Sequence, residues 1–347
     1  MVKTVAIVSL SHGTLGEGFA KHELELGLSR LEKFGLKVKL MKNALKGHDF
    51  LKAHPEKRAE DLLQAFNDDE VDMILCAIGG DDTFRLLPYL FENDELKKAM
   101  NKKIFLGFSD TTTNHFMLNK LGLKTFYGQS FLADVCELEN EILPYSKKYF
   151  EELISTETVR EITPSDVWYE CRTDFGENQK GIKLNSHKNE GFELLQGSAV
   201  FSGKILGGCI ETIFDMYEGE WYKEAAELCE KYGILPTLKE WEGKILLLES
   251  SEMKTEPETY LRALQALKSR GIFDVINGII VGKPADEAYY EEYKKALIDT
   301  VNNKALPIVY NVNVGHALPR CIIPFGVNAT VDAEGQRIIF ERTKWRD

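Results

Sequence analysis

The chain has 347 residues, 44% hydrophobic and 28% charged, the composition of a soluble globular protein of about two domains. Its 43 Lys and Arg stand against 55 Asp and Glu, a formal charge of −12 with no basic cluster, which argues against nucleic acid or an anionic membrane surface as a partner. The six cysteines (Cys76, Cys136, Cys171, Cys209, Cys229, Cys321) are scattered without a Cys-x-x-Cys pair, so reduced, mostly buried thiols are expected rather than a disulfide framework or a zinc site.

The N-terminal run Met1-Val-Lys-Thr-Val-Ala-Ile-Val-Ser-Leu carries one lysine and no small-residue cleavage site, and reads as a first strand rather than a signal peptide. No apolar stretch approaches the roughly 20 residues that span a bilayer. A cytoplasmic location is expected.

Strand and helix patterns alternate through the first third. Thr4–Ser9 is a β-branched strand run, and residues 20–34 place apolar side chains at helical spacing. Residues 36–41 predict a second strand, residues 56–66 a second helix, and residues 71–78 a third strand ending in Gly79-Gly80. A short helix interrupted by Pro88 covers residues 83–90, and residues 104–109 form a fourth strand ending at Ser109. A helix-like stretch from Asn114 to Leu121 follows at once. Strands spaced by helices of this length imply parallel pairing with helices on both faces.

From about Tyr145 to Phe192 the pattern weakens into what reads as an irregular connector. Strands are then expected at residues 201–208, 244–249, 277–281 and 307–314, with helices at 259–269 and 290–301. The chain closes on a hairpin, residues 321–330 and 337–342 around Asp332-Ala-Glu-Gly-Gln336. The expected organisation is a first domain over residues 1–160, a connector or substrate loop over 161–195, and a second domain over 196–347.

In open parallel sheets the working groups gather at the carboxyl ends of strands. Ser109 stands at such an end, in Gly107-Phe-Ser109-Asp110-Thr111, on a sharp turn into a helix. That is the geometry of a nucleophile elbow, with helix N-terminal amides beside the hydroxyl to hold an oxyanion. Helix capping by Ser109 or Asp110 is the competing reading. A serine nucleophile needs a base and a group that orients the base.

Seven histidines are available. His22, His48, His54 and His187 read as solvated surface, His12 as a turn residue or a crevice group, and His115 as pointing away from the elbow. His316 differs, because it ends the apolar run from Ile308 directly after Gly315. Glu249 ends the apolar strand Lys244-Ile-Leu-Leu-Leu-Glu249, a costly place for a lone carboxylate, and Glu211 competes with it for the role of orienting acid.

Ala77-Ile-Gly79-Gly80-Asp81-Asp82-Thr83 supports two chemistries. Its glycines offer N–H groups to an oxyanion, or they cradle phosphate, since the turn resembles the nucleotide turn of the NAD-kinase and diacylglycerol-kinase group. The latter lacks the glycine those kinases carry where Asp82 stands, and a carboxylate there repels phosphate.

Taken together, Ile78-Gly79-Gly80, Leu86-Leu87-Pro88-Tyr89-Leu90, Gly107-Phe-Ser109-Asp110-Thr111-Thr112, Gly207-Gly208, Leu248-Glu249 and Gly315-His316 resemble the LD-carboxypeptidase and microcin C self-immunity family of serine peptidases. The motifs recur in the family's order across most of the chain. The resemblance implies an α/β fold, with an N-terminal Rossmann-like parallel-sheet domain and a C-terminal mixed, barrel-like domain, usually as a homodimer. It implies a triad of Ser109, His316 and Glu249, oxyanion donors at the Gly80 and Asp110 amides, and no metal or other cofactor.

Two activities occur in the family, trimming of murein tetrapeptides and cleavage of peptidyl or aminoacyl nucleotides. The longer segment before Gly207-Gly208 favours the second. Trp168 in that segment is the expected stacking platform for a nucleobase, Arg85 the expected partner of a substrate carboxylate, and Glu211 a further substrate contact. Cys209 and Glu211 follow the Gly-Gly motif, where the family usually has Asn first.

Overall fold

The computed structural model describes residues 1–342. Its strands, in chain order, are β1 (Thr4–Val8), β2 (Lys37–Leu40), β3 (Met73–Cys76), β4 (Ile104–Gly107), β5 (Thr125–Tyr127), β6 (Glu161–Ile162), β7 (Val167–Tyr169), β8 (Ser186–Lys188) and β9 (Glu193–Gln196). The second half adds β10 (Val200–Cys209), β11 (Ile245–Glu249), β12 (Gly278–Gly282), β13 (Ile308–Val312), β14 (Ile323–Phe325), β15 (Asn328–Asp332) and β16 (Arg337–Phe340).

The first sheet runs β14-β5-β4-β3-β1-β2. From β5 to β2 every pairing is parallel, and only β14 joins antiparallel, at the β5 edge. Burial follows position in the sheet. β1, β3 and β4 are buried at every residue, as apolar runs covered on both faces must be, whereas β2 closes the other edge with Lys37 and Lys39 and is partly exposed. Helices Lys21–Lys33, Pro55–Asn67 and Thr112–Lys120 provide the crossovers, the second opening on a proline at its first turn.

The second sheet runs β6-β16-β15-β10-β11-β12-β13-β9. Its middle, β10 to β13, is parallel, and antiparallel strands extend both edges. The sheet is open. The barrel-like form implied by the resemblance is corrected to this mixed sheet, in which β6 and β9 lie at opposite edges. β15 alternates half-buried with buried residues and β16 exposed with buried ones, the pattern of a half-covered hairpin; its first arm is residues 328–332 rather than the expected 321–330, because Ile323–Phe325 pairs with β5 in the first sheet.

The irregular reading of residues 145–192 holds only in part. Helix Pro144–Thr156 occupies its start and buries Tyr149, Phe150, Leu153 and Ile154 along one stripe, opened by Pro144 at the first turn. That spacing was present in the sequence beneath the polar residues around it. Beyond the helix the segment carries the short strands β6 to β8, of which β7 and β8 form a two-stranded sheet and Tyr169 of β7 adds an isolated bridge to Leu318. All six cysteines are free and all but Cys171 are buried.

Candidate active site

Four fully buried residues of β4 deliver the chain to Phe108, whose backbone is extended, and then to Ser109 at φ 65°. A non-glycine residue held in the left-handed region costs roughly 1–3 kcal/mol and persists where its surroundings enforce it. The enforcement is visible here. The Ser109 N–H donates to Tyr127 Oη at 3.2 Å, and Thr111 Oγ1 donates to the Phe108 carbonyl at 2.7 Å. Helix Thr112–Lys120 starts immediately after, so the serine stands on the strand-to-helix turn the sequence predicts.

The glycine loop after β3 meets this turn. A Cβ on Gly79 would lie 2.6 Å from both Cβ and Oγ of Ser109, so only glycine lets the two loops touch. Gly80, at φ 152°, packs against Ser11 and His12 with the same lack of room. Ser11 Oγ accepts from the Asp81 N–H at 3.1 Å and donates to Asp110 Oδ2 at 2.6 Å, while the Thr83 N–H donates to the same oxygen at 2.9 Å. Arg58, wholly buried, pairs with Asp82 behind the loop. The Gly80 and Asp110 amides are therefore held on one stiff framework. Burial is the main reason the Asp110 carboxyl is pushed up to about 7, against the Ser11 and Thr83 donors that pull it down.

The acid and the imidazole come from the second sheet. Glu249, at the carboxyl end of β11, is 1% exposed and accepts three hydrogen bonds. They come from Tyr127 Oη at 2.5 Å, His316 Nδ1 at 2.7 Å and the His316 N–H at 3.2 Å. Gly315, at φ 89°, brings His316 this close, since any Cβ there would run into the Glu249 carboxylate. With Glu249 as acceptor, Nδ1 must carry the proton, which leaves Nε2 as the working nitrogen.

In this conformation Nε2 lies 3.0 Å from Glu252 Oε2, and among the described residues Ser109 and His316 share no hydrogen bond. The imidazole stacks edge-on to Phe108, the residue before the serine, with ring centroids 5.0 Å apart. Burial alone would lower the His316 pKa. The Glu249 carboxylate, helped by Glu252, outweighs it and raises the pKa above the ordinary value.

Ser109, Gly80, Asp110 and Glu252 line one cleft of about 510 Å³. Glu211 lines it too, with its carboxylate taken up by Ser251, Thr255 and Cys209. Two expected substrate contacts are not brought there. Arg85 turns to Glu224 at 3.4 Å and lies over the rings of Phe84 and Tyr222, and it is not among the residues lining the cleft. Trp168 is 8% exposed rather than open to a ligand, because His187 stacks on its ring at 4.3 Å and the Lys283 ammonium sits over it. The exposed indole of the site is that of Trp221, a residue 50% accessible in the cleft wall, whose backbone N–H and that of Tyr222 both donate to Asp215 Oδ1.

The other histidines play structural parts. His115 is buried between Thr125 and the Gly107 carbonyl, as its offset from the elbow predicts, and burial pushes it down to about 4. His12 stacks on His48 with centroids 3.8 Å apart. His22 corrects the surface reading, since it is buried with Nε2 on the Phe175 carbonyl.

Residues 5–128 match the LD-carboxypeptidase N-terminal domain, and residues 202–331 match the LD-carboxypeptidase C-terminal domain. A putative carboxypeptidase of Treponema pallidum is 31% identical over 80% of this chain and 75% of its own length. The microcin C7 self-immunity protein MccF of Escherichia coli is 24% identical over 92% of this chain and 88% of its own. Among solved structures, an MccF-like protein from Streptococcus pneumoniae in complex with AMP superimposes with a TM-score of 0.98 at 60% identity, covering 99% of this chain and 100% of that one.

Proposed function

The chain belongs to the LD-carboxypeptidase family and is a serine-type carboxypeptidase, and on that premise we propose that Ser109, His316 and Glu249 are its catalytic triad and that peptidyl or aminoacyl nucleotides are its substrates. The observation that carries the triad is the buried Glu249–His316 pair, 2.7 Å apart, whose Nε2 meets Glu252 in the lining of the cleft that exposes Ser109 on its strained turn.

Entry of substrate displaces Glu252 from Nε2, and the freed nitrogen takes the Ser109 proton. Oγ attacks the amide carbonyl, and the Gly80 and Asp110 amides receive the developing oxyanion. His316 returns its proton to the leaving amine. Water, deprotonated by the same nitrogen, then releases the acyl group and restores the serine. Glu249 keeps the imidazole in the tautomer that makes this possible and steadies its positive charge.

One feature of the cleft favours a nucleotide conjugate over a murein peptide. Phe84, Trp221 and Tyr222, with Met216 and Met253, give it an aromatic and apolar wall suited to a nucleobase. The AMP in the Streptococcus pneumoniae protein supports the same reading.

The test is hydrolysis of an aminoacyl-sulfamoyl adenosine and of a murein tetrapeptide, side by side. The first should be cleaved faster, and Ser109→Ala should abolish turnover of both while the protein stays folded. Retained turnover in that variant refutes the triad, and a faster murein reaction refutes the substrate assignment.

A further inference from the structure

Cys209 stands beside the acid and the imidazole, in the position where the family resemblance leads one to expect asparagine. On the parallel strands β10 and β11 it is the register partner of Glu249, so the two side chains leave the sheet as neighbours. The Cys209 sulfur, a Glu249 carboxylate oxygen and a His316 ring nitrogen all lie within 4.8 Å of one another, and all three residues are buried. We propose that these three side chains form an inhibitory site for a thiophilic divalent cation, Zn²⁺ above all, which captures the imidazole and switches the enzyme off.

The donor set fits the ion. Zn²⁺ binds thiolate sulfur at about 2.3 Å, imidazole nitrogen at about 2.0–2.1 Å and carboxylate oxygen at about 2.0–2.2 Å, with tetrahedral preference. Such bonds hold their ligand atoms roughly 3.3–3.6 Å apart. The Nδ1–Oε2 separation of 2.7 Å has to open by about 0.6 Å to admit the ion, and the sulfur, within 4.8 Å of both, has to close in by up to about 1.2 Å. Glu211, whose Oε2 lies 3.1 Å from the sulfur, is at hand for the fourth position. Cys209 lines the cleft, which gives the ion a path inward.

The charges point the same way. Burial, then Glu211 and Glu249, push the Cys209 thiol well up, so a bare thiolate is disfavoured beside two carboxylates. A dication reverses that balance. On binding, the thiol proton and the Nδ1 proton leave to solvent, one metal–sulfur, one metal–nitrogen and one metal–oxygen bond form as the ion sheds bound waters, and nothing is oxidised or reduced. His316 then lacks both its Nδ1–H and its tie to Glu249. The ligation stands on geometry alone, whereas the loss of turnover rests on the triad reading above.

Cd²⁺, a spectroscopic substitute for Zn²⁺, provides the probe. Titrating the full-length protein should raise a thiolate-to-metal ultraviolet band that saturates at one ion per chain, is displaced by Zn²⁺ and is lost in both Cys209→Ser and Cys209→Ala. Zn²⁺ should inhibit the native enzyme, with recovery on chelation. Relative to each protein's own metal-free rate, Cys209→Ser should need at least tenfold more Zn²⁺ for half-inhibition. Circular dichroism checks that the variants are folded. Absence of the band, its persistence in both variants, or equal Zn²⁺ sensitivity overturns the proposal. An intact band in a protein that hydrolyses no peptide or conjugate counts against the peptidase reading alone.

Discussion

Replacing Glu252 by Gln tests whether His316 is the catalytic base. In the structure Nε2 faces the Glu252 carboxylate at 3.0 Å, and that negative charge favours the imidazolium over the neutral ring a base must be. Removing it lowers the His316 pKa. The size of the effect follows from exposure. The Glu252 side chain is 61% accessible, so the pair is screened and contributes no more than about 1 kcal/mol, roughly 0.7 of a pH unit.

The assay is kcat/KM against pH on an aminoacyl-sulfamoyl adenosine, because its acid limb reports the base of the free enzyme. The limb of Glu252→Gln should move to lower pH by about half a unit, with about threefold more activity below the midpoint. Stability carries the same sign. The folded His316 pKa lies above the ordinary 6.5, so its stabilisation is complete below that pH and fades as pH rises through the folded value. The deficit of the variant should therefore appear near pH 6 and disappear on the alkaline side. A limb that stays in place or moves upward refutes the role given to His316.

Tyr127→Phe deletes the buried hydroxyl that joins the Ser109 N–H to Glu249, and should cost about 1.5–3 kcal/mol in denaturant unfolding, the range for a hydrogen bond to a charged group. It should also move the acid limb upward, since a less solvated Glu249 holds the imidazolium more tightly; an unchanged midpoint and limb would mean the contact is idle. Gly79→Ala should reduce kcat at least a hundredfold with modest loss of stability, because the new methyl lies 2.6 Å from Ser109 Oγ; wild-type kcat would show that the loop gives way freely. Trp221→Ala should raise KM for nucleotide conjugates about tenfold, the value of one lost stacking contact, and leave KM for a murein peptide unaltered. A rise for both substrates would assign Trp221 to general packing.

The sequence made the strand ends legible because each pairs a one-sided signal with an abrupt stop. Apolar runs finish at Ser109, Glu249 and His316, and a polar residue closing such a run is conspicuous. Side chains that act through the far wall were not legible. Tyr127 sits on a three-residue strand too short for periodicity to register, and its importance comes from Glu249 arriving across the sheet boundary. Trp221 and Trp168 differ in exposure for a related reason. Exposure of an indole depends on what packs over it, His187 stacked face to face on Trp168 but only the edge contact of Phe214 on Trp221, and no local pattern reports a distant neighbour. Glu252 carries no local signal of this kind, because only the turn after β11 brings it to the imidazole.

The antiparallel pairing of β14 with β5 interlocks the two halves of the sequence. Ile323–Phe325, which follows the parallel strands of the second sheet in chain order, returns to cover the edge strand that bears Tyr127 in the first. A fragment that stops before β14 would leave β5 as a bare edge with unpaired backbone groups, so cutting the chain between its halves is expected to expose a sticky strand rather than release a self-sufficient unit.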